Sequence, residues 1–524
     1  MNPGRESLAG DLVVVSDLHL GEGNGQENGR LSPMEDFFHD EAFARLLGHL
    51  CAQVTRPGDL TLVLNGDVFD FLIVTRTAGC PGDISDAERK FGLDPTETKS
   101  VFKLDAIAAG HPRFFAALSR WVAFGNRVEV LRGNHDLELF FPAVQARLKE
   151  HLTQPEGGAS GEQVEERVRF HPWFYLEPGR VYIEHGNQYE ASNSIRYPLR
   201  PLLPASKCKD EQAMLDYPLG SLFVRYFYNR IHRQNPYTPR VISFEQYLDF
   251  AREHRLVDLL RIARNHYPFF IASLGPQSPP GRSRSSSQED ALQEAEFRAL
   301  QRATQPADLH RLLNRLKVHP MAASKLALAK EMLKPMVRRA LVLGGSGLVA
   351  FYLWLILFNL LQDLGTGSNV FIRATVFLLF MLLTLGGVVW AANWILLHLR
   401  RPTDRTVEIC AQRAGHIARQ AGVRMVLMGH THMADLRPVA NGRATYGNSG
   451  TWVALDSPWH RLISDARRMT FLWVRGEQVQ CCRWNDPAGR IEPVPFFELA
   501  DDSGQERTAP DRMKLQSDPQ KPLG

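Results

Sequence analysis

The sequence predicts an α/β fold interrupted by a long helical insertion, and three observations carry that prediction. Short apolar-rich runs, Leu12 to Val15, Leu60 to Leu64, Val128 to Leu131 and Val423 to Met428, each end within three residues of a polar block. Between His185 and Gly429 lie 243 residues, far more than one βα connection requires. Within that interval are two long uncharged apolar stretches, Ala340 to Leu361 and Ala374 to Leu397.

The four runs are rich in Val, Leu and Met and are bounded by Gly and Asn, the pattern of buried strands whose C-terminal ends deliver side chains into one crevice. Val181 to Ile183 precedes His185 in the same way. After the insertion, Val407, Cys410, Ala411, Ala414, Ile417, Ala418 and Ala421 recur at helical spacing and Gly422 supplies a C-cap. Thr445 to Trp452, Met469 to Val474 and Val479 to Arg483 read as returning strands. Removing roughly residues 191 to 405 leaves about 190 residues before and 95 after, the size of a single α/β domain with a sandwich core. The expected divisions are therefore a first part of the α/β domain at 1–190, a helical cap at 191–335, a hairpin at 336–405, a second part of the α/β domain at 406–499 and a disordered polar tail at 500–524. Within the cap, the Gly, Pro and Ser-rich segment 275–289 is expected to be a disordered loop.

Each uncharged stretch is long enough to cross a hydrocarbon core of about 30 Å, which needs about 20 helical residues. With spans at 340–361 and 374–397, twelve residues from Gln362 to Arg373 would close a transmembrane hairpin. Lys330, Lys334, Arg338 and Arg339 precede it and Arg400, Arg401 and Arg405 follow, so both ends are expected on the cytoplasmic side and the loop around Asp363 outside. Tyr352, Trp354, Trp390 and Trp394 suit interface anchors, and Gly344 to Gly347 with Gly386-Gly387 would let the helices approach closely. The expected localisation is an integral membrane protein with the catalytic domain and both termini cytoplasmic. No apolar segment before Leu12 has the length of a signal peptide, and six cysteines without a C-x-x-C motif give no disulfide or zinc framework. A net charge of +4 is too slight to argue for nucleic acid. Inside the cap, Leu222 to Arg233 interleaves aromatic and basic residues and reads either as an interfacial segment or as a core helix with snorkelling arginines.

The chemistry lies in five blocks: Asp17-Leu18-His19, Gly66-Asp67-Val68-Phe69-Asp70, Gly133-Asn134-His135-Asp136, His185-Gly186 and Gly429-His430-Thr431-His432. Any one alone reads as a turn. Together they offer carboxylates that can bridge two cations, neutral imidazoles, and an Asn carbonyl that completes a shell without adding charge. Two divalent cations about 3.5–4 Å apart can orient a phosphate and activate a water. His185 has the least local signature, and His171 is its rival.

In order and spacing the blocks resemble the calcineurin-like metallophosphoesterase superfamily, with its D-x-H, G-D-x-x-D, G-N-H-[DE], lone H and G-H-x-H pattern. The resemblance implies a four-layer α/β/β/α sandwich and a hydrolase of phosphoester or pyrophosphate bonds. It implies that Asp17, His19, Asp67 and His432 hold one metal, and that Asp67 also bridges to a second held by Asn134, His185 and His430. His135 would contact phosphate, with Asn134 beside it, and protonate the leaving oxygen, while Asp70 would orient His135. A hydroxide bridging the two ions would attack phosphorus. Mixed N and O donors suit manganese, iron or zinc, with manganese favoured.

Because the expected hairpin emerges from the cap, the expected partner is a lipid-linked or amphiphilic phosphorylated substrate at the cytoplasmic membrane face. The chain is distantly similar to the UDP-2,3-diacylglucosamine pyrophosphatases, although that group typically has Arg where this chain has His135. The competing expectations are a membrane-bound phosphoprotein phosphatase and a non-catalytic metal-binding membrane scaffold.

Overall fold

The computed structural model describes residues 10–23, 32–53, 56–154, 157–203, 212–229, 307–320, 370–398, 405–453 and 468–494, with scattered positions between 291 and 302 and between 341 and 360. The expected loop at 275–289 and tail at 500–524 lie outside the described residues. Each predicted apolar run is a strand. β1 (Asp11–Val15), β2 (Leu60–Asn65), β3 (Arg127–Leu131) and β4 (Val168–His171) pair in parallel. β5 (Phe174–Glu177), β6 (Val181–Glu184), β7 (Met425–Met428), β8 (Asp435–Val439) and β9 (Ala444–Asn448) form a second sheet in the order β5-β6-β7-β9-β8. β10 (Thr470–Arg475), β11 (Gln478–Asn485) and β12 (Arg490–Pro493) return to the first sheet, which runs β12-β11-β10-β1-β2-β3-β4.

Side chains alternate across a strand, so each sheet buries two faces. Val13, Val15, Leu62, Leu64 and Val130 face helices Asp40–Gln53 and Pro112–Ala123 through Phe43, Leu46, Phe114, Leu118 and Trp121. Leu12, Val14, Val63 and Leu131 meet Val181, Ile183, Met425 and Leu427 between the sheets. Tyr182, Val426, Met428 and Tyr446 pack on Cys410, Ala414 and Ile417 of helix Arg405–Ala421 and on Leu309 and Leu313 of helix Ala307–Leu316. The predicted helix after the insertion is thus present, with Gly422 left-handed at φ 65° directly after it. These three apolar layers lie between four layers of structure, helices and a sheet on each side, and the parallel strands β1, β2, β3, β6 and β7 all end at one edge.

The chain divides into two compact units, Met1–Ala323 with Thr406–Gly524, and Ser324–Arg405. In the second unit the helix Val370–His398 has 29 residues, about 43 Å at 1.5 Å per residue, enough to cross a bilayer by length and composition. It starts ahead of the expected span, so Arg373 lies within the helix and not in the connection. Of the other expected span, the described residues show a shorter apolar helix, Gly344–Leu360, and 361–369 lie outside the described residues. Within this unit Trp354 Nε1 donates to Thr384 Oγ1 and the Phe358 and Phe377 rings lie 6.1 Å apart, which pairs the two helices.

The aromatic and basic segment is described only to residue 229, and there it belongs to the core. Val224–Tyr228 is a single π-helical turn whose Arg225 is 5 % exposed, donating to Gly92 O at 2.8 Å and to Asp94 Oδ1 at 2.6 Å. That pairing of a buried guanidinium turns Arg225 away from any lipid headgroup.

The loop after β1 is clamped by a buried carboxylate. Glu35 accepts from the backbone N–H of Gly21 at 3.2 Å, Gly23 at 2.6 Å and Phe37 at 2.9 Å, and His111 stands 3.3 Å from it and 3.0 Å from Asp40. Burial lowers the His111 pKa, but the two carboxylates outweigh it and raise it from 6.5 to about 9. A raised folded-state pKa means that the contact stabilises fully below about pH 6.5 and that its contribution, on the order of 3 kcal/mol, is lost as pH rises through about 9. The thermal midpoint of the full chain in detergent is therefore expected to fall between pH 7 and 9.5, with a visibly shallower slope in His111→Gln. An identical slope in the variant would remove His111 from the pH response.

Candidate metal centre

The edge where the parallel strands end gathers every predicted site residue. Asp17 and His19 follow β1, Asp67 and Asp70 follow β2, Asn134 and His135 follow β3, His185 follows β6, and His430 and His432 follow β7. Pairing continues past the strands into these loops: Asp17 N donates to Gly66 O at 3.2 Å, His19 N to Asp67 O at 3.0 Å, and Asp70 N to Leu20 O at 2.8 Å. Asp17, His19, Asp67, His430 and His432 all have positive φ, between 49° and 68°. Non-glycine residues seldom adopt that region and cluster in it at functional sites.

Three donor groups form, each with one atom per residue within 4.8 Å of the others: Asp17 with His19 and His432, Asp67 with His185 and His430, and His19 with Asp70 and His135. The first two are the sets expected for two ions, less Asn134 and the second contact of Asp67. His19 Nε2 and His432 Nε2 face each other at 3.3 Å, His432 Nε2 is 3.3 Å from Asp17 Oδ1, and His185 Nε2 is 3.2 Å from Asp67 Oδ2. Asp17 Oδ1, Asn134 Oδ1, His185 Nε2 and His432 Nδ1 are buried without a hydrogen-bond partner. Orphaned buried donors and acceptors of this kind are costly unless a further group satisfies them. Two carboxylates, four imidazoles and a carboxamide form a donor set that divalent cations fit.

Electrostatics agree. Burial raises the Asp17 carboxyl, but the imidazoles of His432 and His185 outweigh it and bring it to about 2. Asp67 is held well below the ordinary range, mainly by His185 and His135 against burial. Burial would depress His185, yet Asp67 and Asp17 raise it to about 10. The site concentrates negative charge in a dry pocket and offsets it with neighbouring imidazoles.

The supporting contacts are specific. His185 Nδ1 meets Asn65 O at 2.9 Å, which turns Nε2 toward Asp67, and Asn65 Nδ2 in turn donates to Glu184 O across the sheets at 3.0 Å. Asp70 Oδ2 accepts from His135 Nδ1 at 2.8 Å and also from His19 Nδ1 at 2.9 Å. One carboxylate thus orients two imidazoles. His135 is 14 % exposed in its side chain, against 0 to 7 % for the seven expected metal ligands as whole residues. His171, the rival to His185, pairs with Glu129 at 2.7 Å and joins none of the donor groups.

Sequence reasoning missed several participants. Asp136 takes Gly133 N at 2.6 Å and Val68 N at 3.0 Å, tying the second and third blocks together. Its burial and the charge of Asp67 push its carboxyl up to about 7. Beyond β9, Ser449 Oγ lies 2.6 Å from Ser16 Oγ, Thr451 Oγ1 donates to Asp17 O at 2.8 Å, and Asn448 Nδ2 donates to Gly429 O at 2.6 Å. The run Asn448-Ser449-Gly450-Thr451 was the available signal, a polar turn at the end of a strand parallel to β7. From the insertion, Ser221 Oγ donates to Asn134 O at 2.8 Å.

Residues 11–213 match the family model of the calcineurin-like phosphoesterases. The chain carries a calcineurin-like phosphoesterase domain. It is accordingly a hydrolase acting on phosphoester bonds. The match takes in the first four blocks, and the structure brings the fifth, His430 and His432, to the same phosphoesterase centre from 217 residues past the end of the match. No curated protein matches the chain.

Glycine is required where loops meet in this phosphoesterase domain. A Cβ on Gly133 would fall 2.7 Å from Asp67 N and closer still to Asp67 Oδ1. Gly133→Ala is therefore expected to displace Asp67 and weaken manganese binding by about 10-fold or more with the far-UV circular dichroism unchanged, as read by equilibrium dialysis. Unaltered manganese affinity would show that Asp67 is not held by this contact.

Proposed function

We propose that the chain is a membrane-anchored phosphoesterase that uses two divalent ions, manganese favoured, to hydrolyse a phosphoester or pyrophosphate bond of a lipid-linked or amphiphilic substrate at the cytoplasmic face. The observation that carries the ion-dependent part is the convergence of Asp17, His19, Asp67, Asn134, His185, His430 and His432 with four orphaned buried polar atoms among them. Asp17, His19, Asp67 and His432 would hold one ion, and Asp67, Asn134, His185 and His430 the other. When bound, the ions supply the positive charge that orients a phosphate and lowers the pKa of water.

The chain's own residues supply the rest. His135, the most open of the imidazoles and fixed through Nδ1 by Asp70, meets the phosphoryl group through Nε2. In hydrolysis a P–O bond to the leaving group breaks and a P–O bond to water oxygen forms; the attacking water releases one proton to solvent, while His135 gives one to the leaving oxygen and takes it back from solvent afterwards. Asp70 favours the charged imidazole before that transfer. Asn134 stands beside His135 with its backbone C=O held by Ser221, so the insertion braces the edge where substrate enters.

The lipid part rests on the second unit. Leu348, Tyr352, Ile356, Phe371, Leu379, Leu383 and Trp390 are 51 to 78 % exposed, an apolar surface that water does not favour. Paired helices whose connection faces outward, between cationic flanks on the cytoplasmic side, would cover that surface with lipid and hold the centre near membrane-borne phosphoesters.

Bis(p-nitrophenyl) phosphate with added manganese tests the first part. Asp67→Asn is expected to lose both ions and turnover, whereas His135→Ala should keep its ions and lose about 10²- to 10⁴-fold in rate. Full turnover in His135→Ala would withdraw its role as acid. For the second part, the protein is expected to stay with membranes through alkaline carbonate washing, and the Thr366→Cys variant to react with an impermeant maleimide only from outside. Release by carbonate would remove the anchor.

A further inference from the structure

Glu190 stands beside His430, at the edge of the donor groups, and belongs to none of the five blocks. Gly186, left-handed at φ 107°, turns the chain after His185 into the short Asn187–Tyr189 turn, which brings Glu190 back over the site. Its Oε2 lies 2.7 Å from His430 Nε2, and the side chain is 20 % exposed. The carboxylate is braced from behind, because Asn193 Nδ2 donates to Oε2 at 2.9 Å and Ser192 Oγ donates to Oε1 at 2.5 Å. Asn193 also reaches the neighbouring donor: its Oδ1 takes Asn134 Nδ2 at 3.5 Å, which leaves Asn134 Oδ1 as the buried atom without a partner.

Charge makes the position meaningful. Among the residues assigned to the second ion, Asn134, His185 and His430 are neutral donors, and Asp67 is shared with the first ion. A divalent cation there would meet less than one full carboxylate, whereas the first ion has Asp17 in addition to its share of Asp67. Once His430 Nε2 is given to a cation, it can no longer donate a proton to Glu190. The carboxylate would then be left beside that cation with an oxygen to offer. Buried carboxylates are paired or bind metals.

We propose that Glu190 is a fifth protein donor to the ion held by Asp67, Asn134, His185 and His430, and that it governs how tightly this second ion is retained. The inference rests on the two-ion reading above.

Manganese titration of the full-length protein in detergent, followed by equilibrium dialysis and by the magnetic coupling between paired manganese ions in electron paramagnetic resonance, tests it without reference to turnover. Wild type is expected to bind two equivalents. Glu190→Gln keeps the size of the side chain and its contacts with Ser192 and Asn193, and is expected to hold the first equivalent unchanged. It should bind the second about 10- to 100-fold more weakly and lose the coupled signal at two equivalents. Glu190→Asp, with a carboxylate set back by one methylene, should fall between the two. Two equivalents of unchanged affinity in Glu190→Gln, or equal weakening of both, would overturn the proposal and leave the two-ion reading intact. Fewer than two equivalents in wild type would overturn that reading and this one together.

Discussion

Everything at the centre depends on keeping two carboxylates ionised in a dry place. Asp17 and Asp67 are 0 and 2 % exposed, and an uncompensated carboxylate in such surroundings costs several kcal/mol. Four imidazoles, one carboxamide and a ring of backbone N–H groups are arranged about them, including His430 N on Asp17 Oδ2 at 2.9 Å and His135 N on Asp67 Oδ1 at 2.7 Å. These contacts still leave buried oxygen and nitrogen atoms without partners. The arrangement is complete only with positive charge added, and that unsatisfied demand links the fold to phosphoester chemistry.

The fold meets the constraint by geometry. Two parallel arrays, β1-β2-β3 and β6-β7-β9, end at the same edge, so the loops that follow them converge there however long the connections between the strands. Close approach then requires residues with no side chain between the loops: Gly429 lies against Ser16 and Asp17, and Gly66 against the ring of His185. Support is shared, with Asp70 serving two imidazoles and Asp136 two backbone loops. Shared support fixes the donor side chains relative to one another.

Much of this was legible because buried parallel strands leave an unmistakable trace, an uninterrupted apolar run, and each run here stops at a polar block. What escaped had weaker physical signatures. β4 is a four-residue edge strand that alternates Val-Arg-Phe-His, β8 carries Pro438 at an edge of the second sheet, and β12 ends in Pro493, all tolerable where one side of the ladder is unpaired. Asp136 was visible in its block, but its role in joining loops depends on Val68, distant in sequence. Glu190 follows His185 by five residues, a spacing that acquires meaning only after the turn at Gly186 is formed. Arg225 stayed ambiguous for a related reason: an aromatic and basic run can be read two ways until Asp94 is known to face it. The apolar stretches were legible by composition, and only Val370–His398 attains crossing length among the described residues.

The insertion joins these themes, since it supplies Ser221 to the back of Asn134 and also leads to the apolar helices. One interruption of the domain thus carries both a brace for Asn134 and the apolar helices. The most direct measurement of the central claim is anomalous diffraction from crystals of the full-length protein grown with manganese. Two manganese peaks about 3.5–4 Å apart on either side of the Asp67 carboxylate are predicted. A single peak, or none within bonding distance of Asp67, would contradict the account.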